Sequence, residues 1–495
     1  MENEHLDPTG EINLETVKSR AVKGIVVLTG RTFLLQAIAL VSQLFLFAYL
    51  GGYEFGIFAI VSAIVNFLVY FSDIGLAAAL IQKKEAPTEV DLRTTFFVQQ
   101  TLIILLIVIV FIFAPQITNH YSLSTEGLGL LYALAISLLF SSLKSIPSVL
   151  LERKLEFVKL VFPQILEQTV YYVILVFLAM KGFGLKSFTF AVLARGLVGL
   201  VAIYIVEPWV PGIAFSKSTL KGLFKFGIPY QVNTFLATFK DDGITLVLGG
   251  ILGPVGVGIL SFAQKLARIP LTFFMDTVTR VTFPAFSRMQ DSPDHLERSV
   301  TRSIFFICLL VFPSIVGIIV LAPILVGVVP KYNHWTPALV PLIFVSINFL
   351  FAATTTQLTN LLNAIGKIKI TFYLMVMWTV LSWVFIPFLA IKFGVIGASI
   401  GYALVGASSI VAIILARKYV NFSITDSMVK PLIGAAVMGT VLLIVKRFLP
   451  ESTTSMITLT LIGIMIYSAS MLTMVGLSLF EDAKKSFKTL LNRAS

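Results

Sequence analysis

Long apolar runs alternate with short polar segments along almost the whole chain. An apolar helix needs roughly 20 residues to cross the hydrocarbon core of a bilayer, and at that length the runs predict about fourteen transmembrane helices. They lie near residues 25–50, 54–81, 94–115, 128–150, 161–180, 185–206, 227–251, 255–283, 303–329, 336–364, 370–391, 395–416, 430–448 and 456–480. The pattern therefore predicts an all-α polytopic membrane protein.

Composition supports lipid as the main solvent of the chain. The 495 residues are 57% hydrophobic and 13% charged, whereas soluble domains are typically about 45–50% apolar and about 25% charged. The net charge of +12 is spread between the apolar runs and forms no basic domain, so we expect no nucleic-acid partner. The single cysteine, Cys308, excludes an internal disulfide framework and a cysteine-based metal cluster.

The Lys and Arg residues predict the orientation, because cytoplasmic loops carry an excess of them. With the N-terminus inside, 24 of the 37 basic residues fall in cytoplasmic segments, six on the opposite side and seven within spans. This bias predicts a multi-pass membrane protein with both termini in the cytoplasm.

A weak internal repeat divides the predicted spans. Residues 181–204 resemble residues 391–414 at an offset of 210, and residues 150–159 resemble 361–369 at an offset of 211. Chance similarity between apolar helices is the alternative, and two matches at nearly one offset argue against it. A parallel repeat of this kind predicts two pseudo-symmetric six-helix lobes followed by two C-terminal helices. The predicted segments are a cytoplasmic tail (1–24), an N-lobe (25–206), a linker (207–226), a C-lobe (227–416), the last two helices (430–480) and a second cytoplasmic tail (481–495).

Charged residues inside spans are costly and usually face a cavity or a partner. Seven basic and five acidic residues lie within the predicted spans. We predict that the basic ones form a cationic substrate cavity: Arg31, Lys144, Arg195, Lys240, Lys265, Arg268 and Arg280. Four of the acidic ones are candidates for ion pairing or for proton or sodium coupling: Asp73, Asp241, Asp242 and Asp276. The fifth is Glu167.

Position along the helices refines these candidates. Arg195 lies near the middle of its span, whereas Arg31 and Lys144 are close enough to one end to snorkel towards the headgroups. Lys240 and Arg268 lie at similar depths on either side of a turn predicted near Gly253, so Asp241 or Asp242 is expected to pair with Lys265 or Arg268. Two interpretations stay open: an ion-pair cluster that holds one lobe together, or a cavity for an anionic substrate.

Motifs for catalysis are missing from the sequence. It contains no GxxxxGK[ST], HExxH or CxxC pattern. We therefore expect no enzyme activity, no metal site and no cofactor. The one ion that we consider is a proton or sodium ion coupled to transport.

Several segments resemble one family of membrane transporters. They are LGGYEFGIFAI (50–60), FSDIGLAAALIQKKE (71–85), LLERKLEFVKL (150–160), FKFGIPYQVN (224–233) and ILSFAQKLARIP (259–270). On these residues the chain resembles the polysaccharide transporter (oligosaccharide flippase) family of the multidrug/oligosaccharidyl-lipid/polysaccharide exporter superfamily. The similarity is greatest to its colanic-acid and teichuronic-acid exporter branch.

The resemblance implies the exporter-superfamily fold and a function in cell-surface polysaccharide biosynthesis. The expected activity is translocation of undecaprenyl-pyrophosphate-linked oligosaccharide across the cytoplasmic membrane by alternating access of two lobes. The expected partners are that polyprenyl-pyrophosphate-linked glycan, membrane lipids, and the polysaccharide polymerase and export machinery. In relatives with fourteen spans, the last two helices help to accommodate the lipid tail.

Three alternatives remain at this point. Physical reasoning from the sequence does not distinguish a lipid II flippase of the same superfamily from the expected oligosaccharide flippase. A cation-coupled multidrug exporter is disfavoured, because cationic drugs favour acidic residues and the basic residues are in surplus here. A membrane-embedded glycan polymerase or ligase is disfavoured as well, because no predicted external loop exceeds about a dozen residues.

Overall fold

The computed structural model describes residues 14–73 and 75–476. In that part of the chain the regular structure is helical, with fifteen α-helices, a 3-10 helix at Asn333–Ala338 and a π-helical turn at Thr425–Val429. The α-helices are α1 (Leu14–Tyr49), α2 (Gly52–Asp73), α3 (Leu76–Gln82), α4 (Glu89–Tyr121), α5 (Thr125–Leu143), α6 (Ser145–Arg153), α7 (Phe157–Met180), α8 (Lys186–Val206), α9 (Lys217–Arg288), α10 (Pro293–Val328), α11 (Leu339–Ala364), α12 (Ile368–Ala407), α13 (Ile410–Arg417), α14 (Lys430–Lys446) and α15 (Thr453–Val475).

Twelve helical segments among the described residues are long and apolar enough to cross a membrane, which confirms the predicted fold class. Two of them, Thr238–Met275 and Ile368–Arg417, have 38 and 50 residues. At about 1.5 Å per residue, even 38 residues exceed a hydrocarbon core of about 30 Å. Each segment is interrupted by a glycine in the left-handed region, Gly253 (φ 66°) and Gly394 (φ 61°). Both breaks coincide with turns predicted from the sequence, so the structure is compatible with fourteen spans.

Two predicted spans are interrupted in the structure. The span predicted at 54–81 is divided into α2 and α3, with Gly75 (φ 72°) preceding α3. The span predicted at 128–150 is divided into α5 and α6, and Lys144 lies between them. Lys144 therefore lies at the junction of these two helices.

By contact the chain divides into two units, Met1–Gly258 and Ile259–Ser495. The first part of α9 belongs to the N-terminal unit, although the sequence assigned it to the C-lobe. Glycines explain this close packing: a Cβ on Gly56 would lie 1.7 Å from the Pro254 oxygen, and one on Gly258 would lie 1.7 Å from the Gly52 oxygen. Small residues of this kind let membrane helices approach backbone to backbone. The six-plus-six-plus-two lobe organisation stays a prediction.

The C-terminal unit has a large apolar core between α10 and the last two helices. Ile304, Ile307, Cys308, Val311 and Ile315 of α10 are fully buried. They belong to one cluster with Met438 and Leu442 of α14 and Leu459 of α15. The two helices that follow the predicted lobes are thus packed firmly on this unit.

A polar network joins three segments at one end of the N-terminal unit. Thr88 and Asp91 form a capping box at the start of α4, in which each side chain accepts a hydrogen bond from the other's backbone N–H. The Asp91 carboxylate also accepts hydrogen bonds from Lys83 Nζ (2.5 Å) and from Thr219 Oγ1 (2.9 Å). This carboxylate therefore ties the loop after α3 and the start of α9 to α4.

Arg153, at the end of α6, is buried beside this network. Its guanidinium donates to the backbone carbonyls of Leu80 (2.8 Å), Ile81 (3.0 Å), Lys83 (2.9 Å) and Glu85 (3.2 Å). The last carbonyls of a helix have no partners within it, and here one buried cation satisfies those at the end of α3. Arg153 is one of the 24 basic residues that the sequence places in cytoplasmic segments. Counting basic residues does not reveal that its side chain is buried.

Replacing Arg153 with methionine should destabilise the N-terminal unit, because the carbonyls of residues 80–85 lose their donor. We expect a loss of about 1.5–3 kcal/mol, the range for a hydrogen bond to a charged group. Thermal unfolding of the purified protein checks this, with Lys84→Met as the control because Lys84 is exposed in the same loop. Equal melting temperatures for the two variants would contradict the assigned role.

Candidate functional site

The predicted site residues are divided between the two units. Arg31, Lys144, Arg195, Lys240, Asp241 and Asp242 lie in the N-terminal unit, and Lys265 and Arg268 lie in the C-terminal unit. The side chains of Asp73, Asp276 and Arg280 are outside the described part of the structure.

Lys144 and Arg195 are brought together in the N-terminal unit by a carboxylate, that of Glu167. Lys144 Nζ lies 2.5 Å from Glu167 Oε2, and Arg195 Nη2 lies 3.9 Å from Glu167 Oε1. The Glu167 side chain is only 12% exposed, and that of Lys144 only 19%. Two cations thus share one buried carboxylate, and the cluster keeps an excess of positive charge.

Helix periodicity places Glu167 on the inner side of α7. Phe162 and Val173 are 59% and 61% exposed, as expected of side chains that face lipid. At about 100° per residue, Glu167 lies about 120–140° around the helix from both of them. The carboxylate therefore points away from the apolar exposed side of α7.

Gly199 of α8 provides the space that the ion pair fills. A Cβ at this position would lie 2.0 Å from Glu167 Oε2 and 2.9 Å from Lys144 Nζ. Because no side chain intervenes, the paired groups lie directly against the α8 backbone. Gly199 is one turn from Arg195, which places all three charged groups at one level of the unit.

The Arg195 side chain is exposed, although its neighbours on the same face of α8 are buried. Its side chain is 45% exposed, yet Ala191 and Ala202, within about 40° of it around α8, are buried. The apolar exposed residues Phe190 and Leu197 lie about 140–160° away from it. The exposure of Arg195 therefore belongs to an opening among the helices and not to the side that α8 presents to lipid.

An aromatic ring supports the Arg195 guanidinium. The guanidinium carbon lies 5.8 Å from the centroid of the Tyr171 ring, within the range of a cation–π contact. Tyr171 is itself buried and lies one turn from Glu167 on α7. With a ring beneath it and a carboxylate 3.9 Å to one side, the guanidinium has N–H groups left to donate to an anion.

The other predicted residues of the N-terminal unit do not join this cluster through contacts that the structure gives. Arg31 is partly buried, and its Nε has no hydrogen-bond partner among the described residues. Lys240 Nζ lies 3.2 Å from the carboxylate of the adjacent Asp241. The Asp242 carboxyl lies near the Asn66 side chain of α2. The expected pairing of Asp241 or Asp242 with residues of the C-terminal unit stays a prediction.

Lys265 and Arg268 lie three residues apart on the second part of α9, so they share one face of the helix. Lys265 is partly buried and Arg268 is exposed. Their depth in the membrane and their role as substrate ligands stay predictions.

The C-terminal unit contains a large apolar cavity of about 710 Å³. Residues from α9, α10, α14 and α15 line it, including Phe274, Gly317, Leu442, Gly463 and Tyr467. A volume of this size suits a sizeable apolar ligand. Its wall includes the two helices that follow the predicted lobes.

Sequence reasoning found the cations of the N-terminal cluster and missed what organises them. Glu167 was recognised as a charge within a span and given no role, and Tyr171 and Gly199 were not considered. One signal was present in the sequence: Glu167 and Tyr171 are four apart, as are Arg195 and Gly199, so each pair lies on one helix face. The apolar cavity carries no comparable signal, because its lining resembles any packed core.

Comparison with known proteins places this architecture in a family. The chain matches the family model described as polysaccharide biosynthesis protein over residues 49–340. The lipopolysaccharide biosynthesis protein WzxC of Escherichia coli K12 is 25% identical over 399 residues, which is 76% of each chain. The teichuronic acid biosynthesis protein TuaB of Bacillus subtilis is 26% identical over 313 residues, which is 61% of this chain and 62% of that relative.

Among solved structures, the fold is similar to that of the lipid II flippase MurJ in an inward closed conformation. The TM-score is 0.74 at 16% sequence identity, with 90% of this chain and 98% of that chain covered. This similarity concerns the fold, whereas the family match covers more than half of the sequence and agrees with the resemblance stated above. The chain is a helical multi-pass membrane protein that belongs to the polysaccharide biosynthesis protein family.

Proposed function

We propose that the protein is a flippase that moves a polyprenyl-pyrophosphate-linked oligosaccharide across the cytoplasmic membrane during cell-surface polysaccharide biosynthesis. The family and the names of the relatives support a role in polysaccharide assembly. Both termini are cytoplasmic in this proposal, and two lobes alternate access to the substrate site. The polysaccharide polymerase and export machinery are the partners that receive the product.

The observation that carries the proposal is the exposed Arg195 on the buried face of α8. A pyrophosphate is a multiply charged anion with oxygens that accept hydrogen bonds from a guanidinium fork. In the low dielectric of a membrane protein, such a cation is costly unless an anion or a cavity compensates it. Glu167 compensates Lys144 closely and Arg195 only loosely, so Arg195 is the cation best placed to exchange its partner for the substrate.

The cavity of the C-terminal unit fits the apolar part of the same substrate. It is walled by α10, α14 and α15 and is almost entirely apolar, as a prenyl chain requires. Arg31, Lys240, Lys265, Arg268 and Arg280 remain further candidates for the headgroup, and Asp73, Asp241, Asp242 and Asp276 remain candidates for coupling or ion pairing.

Replacing Arg195 with alanine should impair transport, because the substrate pyrophosphate loses a charge-assisted hydrogen-bond donor. A bond of this type contributes about 1.5–3 kcal/mol, so we expect affinity to fall by about tenfold or more. The measurement is translocation of a fluorescent polyprenyl-pyrophosphate oligosaccharide in proteoliposomes. The readout is the fraction of the glycan that is accessible to an added glycosidase.

Arg298→Ala is the matched control, since Arg298 is exposed near the start of α10 and has no ion pair among the described residues. Transport by the Arg195 variant at the rate of this control would contradict the proposal. Transport of lipid II in preference to other glycan lipids would favour the second candidate, a lipid II flippase.

Changes at Lys144 and Glu167 should act in opposite directions. Glu167→Gln removes the carboxylate that competes with the substrate for Arg195, so substrate should bind more tightly and leave more slowly, lowering both KM and turnover. Lys144→Met leaves Glu167 with Arg195 as its partner, which should raise KM. The double variant should recover much of the wild-type KM, because it removes both charges of the pair.

Steady-state transport by these three variants measures the effect, with the melting temperature recorded for each. A purely structural ion pair would instead give lower melting temperatures for both single variants and an unchanged KM in all of them.

Filling the apolar cavity should block a long prenyl tail selectively. Gly317 lines the cavity, and a Cβ there would meet no atom within 4 Å, so Gly317→Phe projects into the open space. We expect binding of a substrate with a full-length prenyl chain to fall severalfold, while an analogue with a short chain binds normally. Val340→Phe is the control, because Val340 is exposed on α11 and does not line the cavity. Equal effects on both chain lengths would show that the cavity does not hold the tail.

A further inference from the structure

A second, smaller pocket lies in the N-terminal unit, where α1 meets the start of α7. Its volume is about 280 Å³, and it is lined by Arg20, Lys23, Gly24, Leu155, Glu156, Phe157, Val158 and Lys159. None of these residues belongs to the cluster around Glu167. At about 1.5 Å per residue, Glu156 and Glu167 are about 16 Å apart along α7, so the two sites are separate.

Close packing and one strained turn create this pocket. Gly24 of α1 lies against Phe157, whose ring would be 2.4 Å from a Cβ at residue 24. Leu155 has a φ of 54°, unusual for a residue with a side chain, and this turn begins α7 directly after α6. The ends of α1 and α7 are thereby held together, with their polar side chains around the gap.

The charges around the gap are arranged for an anion. Arg20 donates to the Lys154 carbonyl (2.7 Å) and lies 3.5 Å from Glu156, and Lys159 lies 2.6 Å from the same carboxylate. The hydrogen bond from Lys159 holds the pKa of Glu156 below its ordinary value, so the carboxylate is ionised at neutral pH. Three cations, including Lys23, therefore surround one carboxylate and leave an excess of positive charge.

Two of these cations are available to a ligand. The Lys159 side chain is 53% exposed although it contacts Glu156. Lys23 is exposed, and no ion pair is given for it within the described residues. Lys154, by contrast, is engaged with Glu207 at 2.8 Å.

The surroundings of the pocket are apolar on the side that leads into the membrane. Val158 and Phe162 lie on one face of α7 and are 50% and 59% exposed. Val26, one turn after Lys23 on α1, is 68% exposed. A basic pocket that continues into an exposed apolar surface suits a ligand with a phosphate at one end and hydrocarbon at the other.

From these contacts we infer that the pocket binds the phosphate of an anionic membrane lipid, with the acyl chains along Val158 and Phe162. Both a lipid headgroup and free phosphate could present a phosphate to the basic residues of the pocket. The exposed apolar surface beside the pocket favours the lipid. This lipid is distinct from the transported substrate, and the inference does not depend on the cargo.

Native mass spectrometry of the full chain tests the inference. The protein is titrated with phosphatidylglycerol, with zwitterionic phosphatidylcholine and with inorganic phosphate. Each basic residue adds to the attraction for an anionic lipid, so the double variant K23Q/K159Q should bind phosphatidylglycerol about tenfold or more weakly. The charge-conserving variant K23R/K159R should retain binding, which separates the loss of charge from a folding defect.

The matched control is K221Q/K225Q, which removes the same charge from two exposed lysines of α9. Unchanged binding in K23Q/K159Q, or an equal loss in both glutamine variants, would overturn the site. Equal affinity for phosphatidylcholine would overturn the role of charge. Inorganic phosphate that binds as tightly as phosphatidylglycerol would overturn the lipid as the occupant.

Discussion

The structure depends on one constraint: a polar group inside a membrane protein must find its partner within the protein. Arg153 meets this constraint for backbone groups, since its guanidinium donates to four carbonyls at the end of α3 and just after it. Glu167 meets it for side chains, because it compensates Lys144 inside the N-terminal unit. The carbonyls around the end of α3 and the largely buried Lys144 are thus each matched by a specific group, and the positions of those groups determine where a ligand can bind.

The same constraint explains how much of the fold can be predicted from the sequence. The apolar runs predict the spans because hydrocarbon demands them, and the breaks at Gly253 and Gly394 coincide with turns expected from the sequence. Polar residues do stand at the divisions between α2 and α3 (Asp73) and between α5 and α6 (Lys144), but the apolar residues on both sides are long enough together to be predicted as single spans. Backbone carbonyls are present at every residue, so nothing in the sequence indicates that Arg153 serves those of residues 80–85.

In the candidate site, too, some features can be recognised in the sequence and others only in the folded structure. Arg195 and Lys144 are recognisable as charges within spans, but their common partner is not, because Glu167 is 23 residues from one of them and on a different helix. Which carboxylate a buried cation meets depends on the rotation of both helices. Gly199 contributes to that rotation by leaving space against α8, an effect that composition alone does not reveal.

The asymmetry of the cluster is more informative than its net charge. A carboxylate held equally by two cations would be a stable structural pair, and breaking it would be costly. Here one cation is close and largely buried, while the other is 3.9 Å away, nearly half exposed and supported by an aromatic ring. An arrangement of this kind keeps Glu167 compensated by Lys144 when Arg195 turns to another anion. The cluster can therefore release one cation to a passing ligand without leaving a buried charge unpaired, which is what a transporter needs of a site that must bind and then let go.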